Sequence, residues 1–265
     1  MSKNQNDCAN RSAGLKALVR APFRWILAGF PKREEKITIT DAADTSHSAE
    51  PVVWISAVFR NTALFKRLLA YPGMKWDEPE KLRLQVLIDA SVAGDPLPEN
   101  EIPRDFYGEY KDTRIKSLPD FFLVQGSFLC VSERVAVVLR EFGLGGDLRP
   151  VNLWQGDKTT PVDGGPYHMV LVSARKCALI PEQSNLESSF KVESPSGVRW
   201  TIPGWVKDQD IALSPDALEG AALWRDPAAM AALFISDHLM QAFRKAKIRV
   251  NLEPKKCRII KGENV

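Results

Sequence analysis

Residues 118–154 read LPDFFLVQGSFLCVSERVAVVLREFGLGGDLRPVNLW, an order of strand, serine, helix, glycine stop and strand. Phe121-Phe122-Leu123-Val124 and Phe128-Leu129-Cys130-Val131 are short apolar runs parted at Gly126, as buried strands require. Val135, Val138, Leu139 and Phe142 then recur at helical spacing. Ser132 heads that helix, where its hydroxyl can accept a bond from an orphan N–H, and Glu133 suits the positive helix end. Gly143-Leu144-Gly145-Gly146 stops the helix, and Arg149 to Trp154 reads as the returning strand.

The same order recurs 104 residues on, from Ser132 to Ser236. Leu233-Phe234-Ile235 leads into Ser236-Asp237, and Leu239, Met240 and Phe243 form a helical face. Ile248 to Leu252 closes the copy as a second strand, with Val250-Asn251-Leu252 echoing Val151-Asn152-Leu153. Two copies are too few for a solenoid, so they point to two similar units sharing one mixed sheet.

Outward from these units the chain alternates between strand and helix patterns. Tyr167 to Val172 is a strand, Cys177 to Ile180 another, and Gly197 to Pro203 a hairpin strand after a Pro-Ser-Gly turn. Val52 to Phe59 is β-rich, and Asn61 or Thr62 would cap a helix running to Leu69. From Pro79 the spacing of Leu82, Val86, Leu87 and Ala90 predicts an amphipathic helix. Asp95 to Ser117, rich in proline, predicts an ordered loop or a series of turns. Nearer the start, Leu15, Leu18, Val19, Phe23 and Ile26 give a helix that Pro22 should kink, and Thr38 to Glu50 reads as a linker. The expected class is α+β, a mixed β-sheet with packed helices. Residues 1–70 form a partly helical extension and 71–265 the main domain.

The chain has 265 residues, enough to bury a core without a metal or disulfide staple. Its net charge of +3 is too small to imply a nucleic-acid partner, but the charge is segregated. From Met1 to Lys36 there are eight Lys/Arg against three acids, and from Met240 to Val265 eight against two. From Trp76 to Asp112 ten acids face four bases. Cys8, Cys130, Cys177 and Cys257 are scattered without a CxxC pair; Cys130 and Cys177 sit in apolar runs and read as small buried hydrophobes in a reducing cytoplasm. No apolar run reaches the roughly 18–20 residues of a membrane helix, so no membrane span is expected.

Catalytic signatures are lacking: there is no GxSxG elbow, GxxxxGK[ST] loop, HExxH pair, or GxGxxG after a strand. His47, His168 and His238 lie far apart, His168 in a strand and His238 in a first helical turn, and read as structural. No metal site and no cofactor are expected. The region that invites a partner is Asp95 to Asp112. There Phe106, Tyr107 and Tyr110 are interleaved with Glu99, Glu101, Asp105, Glu109 and Asp112, aromatics amid charge as at protein interfaces. The competing reading is that the rings cover the core while the charges stay wet.

Leu118-Pro119-Asp120-Phe121-Phe122, followed by Val131-Ser132-Glu133-Arg134-Val135 at a helix start, resembles immunity family eleven of the bacterial polymorphic-toxin systems. A late segment of that family is similar to Leu233-Phe234-Ile235-Ser236-Asp237-His238-Leu239, and the likeness runs from about Trp76 to Leu252. The resemblance implies a non-enzymatic protein that binds a cognate toxin stoichiometrically and occludes its active site. It supplies no catalytic residues to carry over. Two other classes stay open on the residues alone: an enzyme, favoured if His168 or His238 meets carboxylates in a pocket, and a nucleic-acid or membrane adaptor using the basic ends.

Overall fold

The computed structural model describes residues 51–71, 79–93, 95–187, 190–194 and 197–260. The expected 15–26 helix, the 38–50 linker, Cys8 and His47 lie outside them. The first strands are β1 (Val53–Ser56), β2 (Leu68–Leu69), β3 (Asp105–Gly108), β4 (Phe121–Val124) and β5 (Phe128–Ser132). β6 (Gly146–Trp154), β7 (Tyr167–Val172), β8 (Lys191–Ser194), β9 (Gly197–Thr201) and β10 (Ala212–Leu213) follow. The last are β11 (Leu223–Trp224), β12 (Ala229–Met230), β13 (Leu233–Ser236), β14 (Lys255–Lys256) and β15 (Arg258–Ile259). The α-helices are α1 (Pro79–Ala93), α2 (Glu133–Glu141) and α3 (Asp237–Lys245). The class is α+β, as the alternation of patterns implied.

The largest sheet runs β2-β3-β6-β7-β5-β4, with β3 parallel to β6 and the other neighbours antiparallel. It curls until its edges meet. Phe65 bridges Leu123, Lys66 N–H donates to Leu123 O (2.8 Å), and Gln125 N–H donates to Leu68 O (2.9 Å). This near-closure leaves little free edge. Alternate residues point inward: Phe122, Val124, Phe128, Cys130, Val151, Leu153, Met169 and Phe106 form one apolar interior, with Leu84 and Leu87 of α1 packed on it.

Phe121, Leu129 and Val131, on the other face of the same strands, pack against α2, α3 and the second sheet, ordered β11-β13-β1-β14. Phe121 meets Phe243 edge-on at 5.4 Å between centroids. The far face of the second sheet carries Val53, Ile55 and a stacked Trp224–Phe234 pair at 4.3 Å. Each such fully buried side chain contributes about 1.5–3 kcal/mol.

Both serine–helix units are present, with matched backbone: Ser132 at φ −68°, ψ 161° and Ser236 at φ −68°, ψ 154°. Their capping differs. Ser236 Oγ accepts from Leu239 N–H at 3.3 Å, whereas Ser132 donates its hydroxyl to Asp120 at 2.6 Å and leaves the helix end uncapped by its side chain. The two helices end alike: Leu144 N–H reaches Leu139 O (3.3 Å) and Gly143 N–H reaches Arg140 O (3.3 Å), while Ile248 N–H reaches Phe243 O (2.9 Å) and Lys247 N–H reaches Arg244 O (2.9 Å). The left-handed residue is Gly143 (φ 61°) in the first and Lys247 (φ 54°) in the second. A side chain in that conformation costs roughly 1–2 kcal/mol, so exposed Lys247→Gly is expected to stabilise the protein by about 0.5–1 kcal/mol. A higher midpoint in urea unfolding at unchanged slope checks it.

Several expectations change. The two units do not share a sheet: β5 lies in the barrel and β13 in the second sheet. Ile248–Leu252 is not a strand; Leu252 O accepts from the Ser56 hydroxyl and Asn251 Nδ2 donates to Phe121 O (3.1 Å), so side chains replace a ladder. The helix drawn from Asn61 to Leu69 shrinks to one 3₁₀ turn capped by Asn61 before the barrel recruits the chain. The turn-rich 95–117 segment contains β3. Residues 177–180 contribute only a bridge from Leu179 to Leu213. The boundary at residue 70 also moves, because β1 pairs with both β13 and β14, and β2 with β3.

Helix α1 turns a different face inward. It buries Leu84, Leu87 and Ser91, leaving Leu82 60% and Val86 68% exposed. Apolar residues line both faces, so spacing alone could not choose between them. Cys130 and Cys257 are buried, which pushes both thiols up, whereas Cys177 lies at the surface.

Candidate functional site: the mouth of the barrel

At one end of the barrel β5 and β7 stop pairing. Cys130 faces Met169, but Leu129 and Phe128 lack the ladder partners that Val170 and Leu171 would supply. A cavity of about 470 Å³ opens there. Its apolar wall includes Phe59, Ile102, Phe128, Leu129 and Val170, and three arginines, Arg149, Arg175 and Arg225, also line it. Concave sites with a few polar groups are commonly built in barrel mouths.

Strand alternation places Arg149. In β6 the inward positions are 149, 151 and 153, so Arg149 continues the row of Val151 and Leu153 to the open end. It is buried, donates to Glu99 O at 2.8 Å, pairs with the Glu99 carboxylate at 3.1 Å, and lies 3.9 Å from Asp147. Arg225 is only 5% exposed. It follows β11 and caps the C-terminus of α1, donating to Ser91 O and to Val92 O (2.7 Å), where orphan carbonyls and the helix dipole favour a cation. Its guanidinium lies 4.5 Å from the centre of the Phe59 ring, and its Nε is buried without a partner. Burial first, then the charge of Arg175, pulls Arg225 down to about 10, with Asp95 opposing, so it remains charged at neutral pH.

Arg175 is at the rim and bridges to Arg225 through the backbone. Burial lowers its pKa, Asp95 opposes, and Arg199 adds to the lowering. Asp95 itself pairs with Arg199 at 3.1 Å. Behind Arg225, Asp226 is 2% exposed and accepts from the backbone N–H groups of Ala178 (2.7 Å), Leu179 (2.8 Å) and Ala228 (2.8 Å). Burial raises its carboxyl above the ordinary value while those donors oppose.

The expected contact residues separate into two groups. Phe106 is fully buried and belongs to the barrel core, so its reading as a contact ring is overturned. Its neighbour Tyr107 is half-buried in β3, and Asp105 is engaged within the sheet, accepting from Asn152 Nδ2 (3.0 Å) and Trp154 Nε1 (3.0 Å). Glu99, Glu101, Glu109, Tyr110 and Asp112 are exposed. Arg67 binds Glu109 at 3.1 Å, contacts the Tyr110 hydroxyl, and sits 5.3 Å from the Tyr110 ring centre. Sequence reasoning missed the arginines of the mouth; the readable signal was a cation at an inward position of alternating β6.

His168 does meet a carboxylate. Its Nε2 contacts Glu133, which also pairs with Arg140 at 2.8 Å. The Arg140 bond, then the His168 bond and charges, hold Glu133 below its ordinary value against desolvation. This cluster sits where α2 starts on the outer face of the barrel and does not line the cavity. His238 is exposed. Among the described residues no group of three or more His, Cys, Asp and Glu is placed to hold a metal ion, and no helix is long and apolar enough to cross a membrane.

A scan of protein-family models finds no match to this chain, and a search of curated proteins finds none either.

Proposed function

We propose that this chain is a non-catalytic immunity protein that binds a cognate bacterial protein toxin and occludes its active site. The observation that supports this reading is the exposed acidic and aromatic surface around Tyr110. The ring is 49% exposed, yet Arg67 holds it in place, and Glu109 and Asp112 flank it. A large ring already ordered in the free protein loses little entropy on binding and can desolvate a partner's pocket. Surrounding carboxylates would steer a basic partner. The outward stripe of Leu82 and Val86 on α1 adds apolar area of the kind that marks interaction surfaces.

The toxin would be sought in the adjacent gene. Co-expression should restore growth to toxin-producing cells, and the two proteins should co-purify. Tyr110→Ala, an exposed substitution, is expected to weaken the complex by about 2 kcal/mol or more, roughly thirtyfold, with the unfolding midpoint unchanged. Absence of a complex at micromolar concentration would sink the reading. An enzyme is favoured only by the His168–Glu133 contact, which lies outside the cavity.

A further inference from the structure

The acids around the barrel mouth pair with Arg149 and Arg199 rather than with the neighbours Arg175 and Arg225. Glu99 is taken by Arg149 at 3.1 Å and Asp95 by Arg199 at 3.1 Å. Asp147 lies 3.9 Å from Arg149. Arg175 and Arg225 are backbone neighbours facing the same cavity, and among the described residues neither forms an ion pair. Arg225 is satisfied only by neutral carbonyls, and its Nε is buried without a partner. Two adjacent cations in a partly dry site, offset only by the charge of Asp95, which Arg199 already holds, are an electrostatic cost that an anion would relieve. Next to them the wall is apolar, with Phe128, Leu129 and Val170 where the ladder has parted.

We propose that the barrel mouth is a binding site for a small organic anion. Its carboxylate or phosphate head lies at Arg175 and Arg225, and its apolar body lies against Phe128, Leu129 and Val170. The cavity of about 470 Å³ is within the roughly 300–1,000 Å³ of small-molecule sites. Arg225 supplies a rigid donor fixed by the end of α1, and Arg175 at the rim supplies the group that admits or releases the head. This site is separate from the Tyr110 surface, and it stands or falls independently of toxin binding.

The test is calorimetric titration of the full chain with decanoate, decyl phosphate and decanol. Three proteins are compared: wild type, Arg175→Gln at the exposed rim, and Leu97→Trp, which enlarges a side chain lining the cavity and fills the mouth. One or both anions should bind at micromolar Kd and decanol at least about tenfold more weakly. Decanoate against decyl phosphate distinguishes the head group. Arg175→Gln should erase the preference over decanol, and Leu97→Trp should abolish binding of all three. Equal binding of decanol and the anions would overturn the proposal, as would no binding at roughly 1 mM. A toxin affinity that falls with Arg175→Gln while no small anion binds would also overturn it, assigning the arginines to an acidic group of the partner protein.

Discussion

Phe106→Ala is expected to lower the free energy of unfolding by about 3–5 kcal/mol, the range for emptying a buried phenylalanine site. The ring is 0% exposed and packs in the barrel with Phe122, Phe128 and Met169. The barrel walls are tied by ladders on both sides of β3, so they cannot collapse into the space. For a protein of this size the loss corresponds to a thermal midpoint lower by roughly 10 °C. Urea unfolding followed by circular dichroism measures the first, and a thermal scan the second. Affinity for the proposed toxin partner, measured on the fraction that remains folded, should not change. A stable Phe106→Ala protein that alone fails to bind the proposed partner would instead return this ring to the interface.

Asp226→Ala is expected to cost a similar amount, about 3–5 kcal/mol, because it orphans several buried donors at once. The carboxylate gathers N–H groups from Ala178, Leu179 and Ala228 and so ties the 178–179 segment to the chain after β11. It is also adjacent to Arg225, so its loss should disorder the cationic wall of the mouth. Asp226→Asn keeps one acceptor oxygen, which serves Ala178 and Leu179, and turns an N–H₂ toward the Ala228 N–H. That variant should lose less, about 1–3 kcal/mol for one unsatisfied group. Urea midpoints for the pair check the order. Equal stability of wild type and Asp226→Ala would show that water or backbone relaxation satisfies those donors.

Locally coded features of the fold were legible. Apolar runs bounded by glycine placed β4, β5 and β7, and serine before a helical stripe placed α2 and α3. Such elements follow from side-chain period and end chemistry, which act over a few residues. Asn61 was equally legible as a cap, yet the turn that it starts stops after Leu64, because Lys66 finds Leu123 O at the seam where the sheet edges meet. A strand partner 57 residues away (Lys66 to Leu123) leaves no mark near Asn61. Ile248–Leu252 has the composition of Val151–Leu153, but the ladder beside it is missing, and composition does not report a neighbour.

The candidate sites divide on the same ground. Tyr110, Glu109 and Asp112 were identifiable as exposed groups amid charge, and they are exposed. Phe106, three residues before Glu109, carried the same signal, and only the inward pleat of β3 consigned it to the core. The mouth was invisible, because Arg149, Arg175 and Arg225 are spread along the chain and meet through a nearly closed sheet and the end of α1. The sequence by itself determined the two serine-headed strand–helix units, through local propensity and capping. Tertiary structure alone decided which sheet each unit joined, which face of α1 turned inward, and that three distant arginines share one cavity. Those outcomes depend on long-range pairing and packing, whose partners no local pattern names.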